Sequence, residues 1–244
     1  MNRDETKFKR IKPPKKDKLP GKILSAEKQK FSIKKYFIFM EGKTEYNYLI
    51  GFKTLYLQNN KKVELKLIPP KDKSNNARLL LEESKKFIDS EKQKINENLD
   101  DEFNLKNITN DDEIKIIFDC DKNFDEKSTD DLTHAEYAER IASQNNFKIV
   151  FSNYNFEVWI LCHFKKPTKS CKGNNLIRQI KSESGWTRYK KNDDKIFEEL
   201  KNNLDTAIKN SKELISEKEI KIFSKESNPV TEVGILIEEI INNI

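Results

Sequence analysis

Cysteine and long apolar stretches are both scarce in this sequence of 244 residues. Three cysteines cannot build a disulfide framework, and so sparse and odd a set favours a reducing compartment, so we expect a cytoplasmic protein. No run of about 18 apolar residues occurs, so we expect neither a transmembrane helix nor a membrane partner. The opening MNRDETKFKR also lacks the apolar segment of a secretory signal.

Charge is distributed unevenly along the chain, although the formal net charge is only +6. Residues 1–22 hold nine Lys or Arg against three acids, so the remaining residues sum to zero. The stretch 82–139 has 19 acids against eight Lys or Arg, whereas 165–195 has ten Lys or Arg against three acids. The acidic stretch suits metal ions, and the basic stretch suits phosphates.

Strand and helix patterns alternate four times in the first two thirds of the chain. Short apolar or alternating runs predict strands, and segments with helical spacing separate them. This alternation predicts an α/β fold with about four parallel strands flanked by helices. The predicted strands are 36–40, 63–69, 113–119 and 147–152, and the predicted helices are 44–57, 75–99, 133–146 and 155–164.

Three regions follow from these patterns. Residues 1–30 are rich in Lys and Pro and have no apolar period, which predicts a flexible basic arm, either a solubilising tail or a nucleic-acid-binding arm. Residues 31–164 are predicted to form the α/β core. Residues 165–244 are predicted to be a helical C-terminal extension packed on that core, with helical patterns at 174–184, 193–215 and 229–244.

Acidic side chains follow two of the predicted strands. Glu41 lies at the carboxyl end of the first strand, and Glu45 falls in the first turn of the next helix. Asp119 and Asp121 lie at the carboxyl end of the third strand, and their spacing puts both on one side if strand geometry continues through Cys120. Ligands of open α/β sheets bind at these strand ends. We therefore expect four carboxylates to converge.

Converging carboxylates repel one another unless a cation neutralises them. Ligand sets made only of oxygen favour Mg²⁺ or Mn²⁺ over Zn²⁺, and ions held in this way support phosphodiester hydrolysis or phosphoryl transfer. Glu157, the one charge in the apolar segment NFEVWILCHF, is either a further ligand or a buried hydrogen-bonded residue. Taken singly, each of the other acids also has a simpler interpretation, as a helix N-terminal charge or a loop residue.

The basic stretch interleaves cations with aromatic residues in CKGNNLIRQIKSESGWTRYKK. Cations bind phosphates and aromatic faces stack on bases, so one interpretation is a nucleic-acid surface. The other is a solvated face with a core tryptophan. The candidate nucleic-acid-binding residues are Lys43, Arg178, Lys181, Trp186, Arg188, Tyr189, Lys190 and Lys191.

Several of these motifs together resemble the RloB family. They are Glu-Gly-x-x-Glu after the first strand, Asp-x-Asp after the third, the segment SNYNFEVWILCHF, and NPVTEV before the last helix. The resemblance covers roughly residues 33–244. It implies a Toprim-like, Rossmann-like core related to OLD-type nuclease domains, in a family found in bacterial defence, abortive-infection and restriction-linked systems.

The resemblance also implies an activity, a metal-dependent endonuclease that uses Mg²⁺ or Mn²⁺ in anti-phage defence. Glu41 would be a metal ligand or general base, Asp119 and Asp121 would be metal ligands, and Glu45 would bind a second metal. The resemblance further implies a partner ATPase of the AAA or ABC type. Neither DNA nor RNA is favoured as the substrate.

Two other functions stay open at this point. The chain could be a non-catalytic, Toprim-shaped subunit that binds nucleic acid or a partner protein. The letters FDCD also resemble the nucleophile loop of haloacid-dehalogenase-type phosphatases, with Asp119 as the nucleophile. Asn123 stands where those enzymes usually have Thr or Val.

Overall fold

The structure is a computed structural model that describes residues 33–70, 76–96, 108, 111–127, 131–170, 172–183 and 186–244. The predicted basic arm, residues 1–30, lies outside the described residues, as do residues 75 and 97–99 of the second predicted helix. Within the described ranges, no helix is long and apolar enough to cross a membrane.

A five-stranded sheet lies at the centre of residues 32–244, with strand order β2-β1-β3-β4-β5. The first four strands are parallel, and the fifth pairs antiparallel with β4. This confirms the predicted α/β fold and adds a short fifth strand. The strands are β1 (Lys34–Met40), β2 (Val63–Ile68), β3 (Glu113–Asp119), β4 (Lys148–Asn153) and β5 (Val230–Thr231).

Helices cover both faces of this sheet. Two short 3₁₀ turns accompany them: Lys201–Asn203 lies between two helices, and Lys225–Ser227 precedes β5. The first three helices connect the parallel strands, as in other open α/β sheets. The helices are α1 (Lys43–Leu57), α2 (Ala77–Asn96), α3 (His134–Asn145), α4 (Glu157–Cys162), α5 (Gly173–Glu183), α6 (Ile196–Leu200), α7 (Leu204–Ser216) and α8 (Val233–Asn242).

Strand β1 is buried on both faces, which is why its sequence is continuously apolar. Tyr36, Ile38 and Met40 pack in one hydrophobic cluster with residues of α1. Phe37 and Phe39 pack in a second cluster with residues of α2 and α3. Successive side chains of a strand point to opposite faces, so one strand contributes to both cores.

The C-terminal region shares the first of these clusters. Trp159 of α4, Phe197 of α6 and Ile237 of α8 belong to the same buried cluster as the α1 side of the sheet. Thr231 of β5 also pairs with Ser152 of β4, and their hydroxyl oxygens lie 3.0 Å apart. Val230 of β5 belongs to the second cluster, so residues 165–244 complete the sheet and contribute to both of its cores.

Gly51 marks a close approach between α1 and α6, and it offers a test of this packing. A Cβ added at residue 51 would lie 2.5 Å from the Cβ of Phe197. We expect Gly51→Ala to lower the free energy of unfolding by about 1–3 kcal/mol, because overpacking outweighs the gain in helix propensity. Urea denaturation measures this change.

Gly173→Ala provides the matched control. A Cβ there would meet Tyr154 Cε1 at 3.9 Å, an ordinary contact, so we expect no loss of stability. Equal stability of the two variants would contradict the close packing of Gly51 against Phe197.

Candidate active site

The ends of two neighbouring strands bring Glu41 and Asp119 together. β1 and β3 pair directly, with Met40 opposite Ile117. Glu41 follows β1 at once, and its backbone N–H donates to the carbonyl of Ile117 at 3.1 Å. Asp119 is the last residue of β3, and its backbone N–H donates to Glu41 Oε2 at 3.4 Å. The pairing of the strands thus fixes the two carboxylates at one edge of the sheet.

Asp121 reaches the same edge through a turn. β3 ends at Asp119, so the condition under which the spacing alone would put both aspartates on one side, strand geometry through Cys120, is not met. Asp121 has a φ of 24°, outside the strand region. Its backbone N–H donates to the carbonyl of Tyr154 at 3.2 Å, and the Tyr154 hydroxyl donates to Asp121 Oδ1 at 3.1 Å. Tyr154, which follows β4, therefore holds the second aspartate in place.

Glu45 lies in the first turn of α1 and is buried against Gly42. A Cβ on residue 42 would overlap the Glu45 carboxylate. Gly42 itself has the extended conformation that any residue adopts, with φ −121° and ψ 159°. Glycine therefore leaves space for the carboxylate to approach the backbone, and a larger residue here would shift the Glu45 carboxylate from this position.

Glu157 is the first residue of α4 and is only 2% exposed. Its Oε1 accepts a hydrogen bond from the Tyr189 hydroxyl at 3.1 Å. The same oxygen lies 3.1 Å from Lys191 Nζ. Both partners come from the basic stretch, more than thirty residues further along the chain.

These side chains line one cavity of about 330 Å³. A water molecule occupies roughly 30 Å³ of the liquid, so the cavity has room for a hydrated ion. All five predicted metal ligands line it, together with three lysines. The acids are Glu41, Glu45, Asp119, Asp121 and Glu157, and the lysines are Lys43, Lys122 and Lys191.

Burial and mutual repulsion favour the protonated forms of several of these acids. Burial raises the pKa of Glu41 to about 7, and the Asp121 charge adds to the rise, although hydrogen bonds to Glu41 oppose it. Burial also raises the pKa of Glu45 to about 7, with a contribution from the Glu157 charge. The pKa of Asp119 lies well above its ordinary value, first because of burial and then because of the Glu45 charge.

The chemistry of the cavity fits a hard divalent cation. Asp119 Oδ1 is buried and has no hydrogen-bond partner among the described residues, a deficit that an ion would relieve. All five candidate ligands offer oxygen, which Mg²⁺ and Mn²⁺ prefer. In the described part of the chain, no three His, Cys, Asp or Glu side chains already form a group that could hold an ion. Glu41, Asp119 and Asp121 would hold such an ion.

Asn123 is a site residue that sequence reasoning missed. Its Nδ2 donates to Glu41 Oε2 at 3.3 Å and to the carbonyl of Asp119 at 2.7 Å. Its side-chain Oδ1 accepts a hydrogen bond from the backbone N–H of Ala77. Its backbone carbonyl accepts a hydrogen bond from the backbone N–H of Ala135. Asn123 thus links the Glu41 carboxylate to the starts of α2 and α3. No motif in the sequence marks it, because three of its four partners, in Glu41, Ala77 and Ala135, are brought to it only by the fold.

The two aromatic residues of the basic stretch require a correction. Trp186 is 8% exposed and Tyr189 is 1% exposed. The Trp186 indole N–H donates to Glu199, and the Tyr189 hydroxyl donates to Glu157. Stacking of these rings on bases, one of the two interpretations of the sequence, is incompatible with their burial, which agrees with the other interpretation, a core tryptophan. Tyr189 instead contributes a hydrogen bond to the wall of the cavity.

The cations predicted to bind nucleic acid fall into two groups. Lys43 and Lys191 line the cavity, where the unpredicted Lys122 joins them. The remaining cations are exposed elsewhere, and one of them, Arg188, forms an ion pair with Glu199 at 3.0 Å. This second group consists of Arg178, Lys181, Arg188 and Lys190. Nucleic-acid binding by either group stays a prediction.

Comparison with known proteins agrees with the sequence motifs. A protein-family model described as RloB-like protein matches residues 36–240. A search of curated proteins and a search of solved structures found no match. The matched range contains all five acids of the cavity, as well as Asn123, Tyr189 and Lys191.

Proposed function

The chain belongs to the RloB-like family, and we propose that it is a divalent-metal-dependent nuclease that hydrolyses phosphodiester bonds in nucleic acid. The main support is the set of five carboxylates lining one cavity, in which Asp119 Oδ1 is buried without a hydrogen-bond partner among the described residues. A Toprim relationship and a role in anti-phage defence with a partner ATPase belong to the same proposal and rest on the resemblance. A cytoplasmic location also belongs to it and rests on the sparse cysteines.

Each part of the cavity wall has a distinct role in this proposal. Glu41, Asp119 and Asp121 would hold Mg²⁺ or Mn²⁺, which when bound activates water and neutralises charge on the phosphate. In the metal-free protein burial raises the pKa of Glu41 to about 7, so metal binding near neutral pH would displace a proton from this carboxyl. Lys43 and Lys122 place positive charge on the wall, where phosphate oxygens of the substrate would approach.

A cleavage assay tests the proposal directly. The purified chain is incubated with plasmid, single-stranded DNA and tRNA in the presence of Mg²⁺, Mn²⁺ or EDTA. We expect cutting only with a metal ion, and loss of cutting in Glu41→Gln. Glu219→Gln, at an exposed acid outside the cavity, serves as the control. Cutting that persists in EDTA or in folded Glu41→Gln would contradict the proposal.

A non-catalytic binding subunit is the second candidate. It is favoured by the ion pair between Lys191 and Glu157, and by the lack of a ready-made group of three ligands in the described residues. Binding of nucleic acid without cutting, with any metal ion and with a partner ATPase added, would support it.

The phosphatase alternative makes a different prediction. The chain would release phosphate from small phosphate esters, and aluminium fluoride would inhibit this release.

Asn123 provides a test of how Glu41 is oriented. Asn123→Asp keeps an acceptor for the Ala77 N–H but can no longer donate to Glu41, and it adds a carboxylate. We expect Mn²⁺ affinity to fall about 10- to 100-fold, the usual effect of losing a partner that orients a metal ligand. Calorimetric titration with Mn²⁺ measures the change.

Asn145→Asp is the matched control for this variant. Asn145 makes a local hydrogen bond to the Ile141 carbonyl on α3 and does not line the cavity. Unchanged Mn²⁺ affinity in a folded Asn123→Asp variant would show that Asn123 does not position Glu41.

A further inference from the structure

Lys191 places a positive charge inside the acidic cavity. Its Nζ lies 3.1 Å from Glu157 Oε1, and its side chain forms part of the cavity wall. Burial lowers the pKa of Lys191, but the Glu157, Asp119 and Glu45 charges outweigh this effect and raise it overall. The ammonium therefore interacts with acids from several walls of the cavity.

The loop that carries Lys191 is attached to the first turns of α1. The backbone N–H of Asn192 donates to Thr44 Oγ1 at 3.1 Å, and the Thr44 hydroxyl donates to Asn192 Oδ1 at 3.2 Å. Asn47 Nδ2 donates to the carbonyl of Asn192 at 2.9 Å. Because Glu45 lies in the same helical turn as Thr44, these bonds fix the base of Lys191 beside one of the acids.

The ion pair also differs from an ordinary surface pair. Exposed pairs contribute little, and the Lys191 side chain is 52% exposed. The Glu157 side chain, however, is only 3% exposed, and a buried carboxylate without a cation is strongly unfavourable. Glu157 Oε1 already accepts a hydrogen bond from the Tyr189 hydroxyl and forms an ion pair with the Lys191 ammonium. A metal ion at this oxygen would have to displace them.

The acids thus divide into two sets. Glu41, Asp119 and Asp121 lie at or just beyond the strand ends, and Asp119 there has a buried oxygen without a hydrogen-bond partner among the described residues. Glu45 and Glu157 belong to helices, and Glu157 Oε1 lies 3.1 Å from Lys191 Nζ. The Asp119 and Glu45 charges also interact with Lys191, but Asp119 Oδ1 keeps no hydrogen-bond partner among the described residues, whereas Glu157 Oε1 already has a cation beside it.

We propose that the cavity takes a single divalent ion, at Glu41, Asp119 and Asp121, and that the Lys191 ammonium occupies the second cation position, beside Glu157 and Glu45. This inference rests on the proposed function, because it assumes the metal site. It replaces the expectation that Glu45 binds a second metal. Two-metal sites hold their ions about 3.5–4 Å apart. The Lys191 ammonium lies 3.1 Å from Glu157 Oε1 and lines the same cavity as the strand-end acids.

The number of bound ions tests the inference. The full chain is titrated with Mn²⁺ by calorimetry and by electron paramagnetic resonance, and only the ions lost when Asp119→Asn and Glu157→Gln are combined are counted. We expect one such ion per chain for the natural protein and two for Lys191→Met. Lys191→Arg keeps the charge, so one ion is expected. Lys190→Met, at the neighbouring exposed lysine outside the cavity, is also expected to bind one.

A double variant identifies the second position. Glu157→Gln in the Lys191→Met background is expected to return the count to one ion. The position that the Lys191 ammonium occupied would then lack the Glu157 carboxylate, which a second ion needs as a ligand. Lys191→Gln serves as a second neutral variant should Lys191→Met not fold, as judged by circular dichroism.

The outcomes separate the inference from the proposed function. Two ions in the natural protein, or one ion in a folded neutral variant, would overturn the role of Lys191 and leave the metal site in place. No Mn²⁺ binding by the natural protein or any of the variants would contradict the proposed metal-dependent function itself.

Discussion

Replacing Asp119 with asparagine is expected to make the metal-free protein more stable and the metal-loaded protein inactive. Asparagine keeps the shape of the side chain but removes a charge that burial and the neighbouring Glu45 disfavour. We expect a gain of about 1–2 kcal/mol in the free energy of unfolding at pH 8 without metal, in the range usual for relieving strain at functional sites. Cleavage should fall at least about 100-fold.

Urea denaturation in EDTA and a metal-dependent cleavage assay measure these two effects. Asp125→Asn is the matched control, because Asp125 is exposed, pairs with Lys225 and does not line the cavity. Asp125→Asn should change neither the free energy of unfolding nor the cleavage activity by much. A loss of stability in Asp119→Asn would show that the carboxylate is compensated in the metal-free fold, against the argument from its buried Oδ1.

The metal-free protein is expected to lose stability as the pH rises from 5 to 8. Glu41 and Glu45 have folded-state pKa values of about 7, against ordinary values near 4.5. Between these values the folded chain holds protons that the unfolded chain has released, so stability falls with rising pH. Each group contributes at most about 3 kcal/mol to this loss. Mg²⁺ should restore stability at pH 8 and have little effect at pH 5.

Comparing the natural protein with Glu45→Gln isolates this effect. His163 is buried with its pKa lowered to about 4, so its contribution to stability rises with pH up to about 6.5, but it is the same in both proteins. The pKa of Glu113, lowered to about 2, matters only below pH 4.5. The variant should therefore show a shallower loss in metal-free buffer. Parallel pH profiles for the two proteins would count against a raised pKa at Glu45.

The fold could be predicted largely from the sequence because its sheet is buried on both faces. β1 to β4 were located to within two residues at each end, since parallel strands covered by helices are short apolar runs. The predicted helix 193–215 is instead α6, a 3₁₀ turn and α7. The predicted helix 229–244 begins only at Val233, after β5, whose two residues are too few to show a periodicity.

The candidate site was predictable only where it depends on strand ends. Glu41 and Asp119 lie together because β1 and β3 are neighbours in the sheet, and their positions in the sequence already suggested it. The contacts of Asn123, Tyr154 and Tyr189 join residues far apart in the chain, so no local pattern contains them. Trp186 and Tyr189 were misjudged for the same reason, because composition does not tell a core aromatic from an exposed one.

The attachment of Asn192 to Thr44 has a consequence for any attempt to shorten the protein. A truncation at residue 164 would remove Tyr189 and Lys191, the two partners of Glu157, and leave this buried carboxylate without a cation or hydrogen-bond donor from either. It would also expose the hydrophobic cluster to which α6 and α8 contribute. It would also remove β5 from the edge of the sheet. The last eighty residues are therefore not a detachable module, and the smallest cooperative unit of this protein includes them.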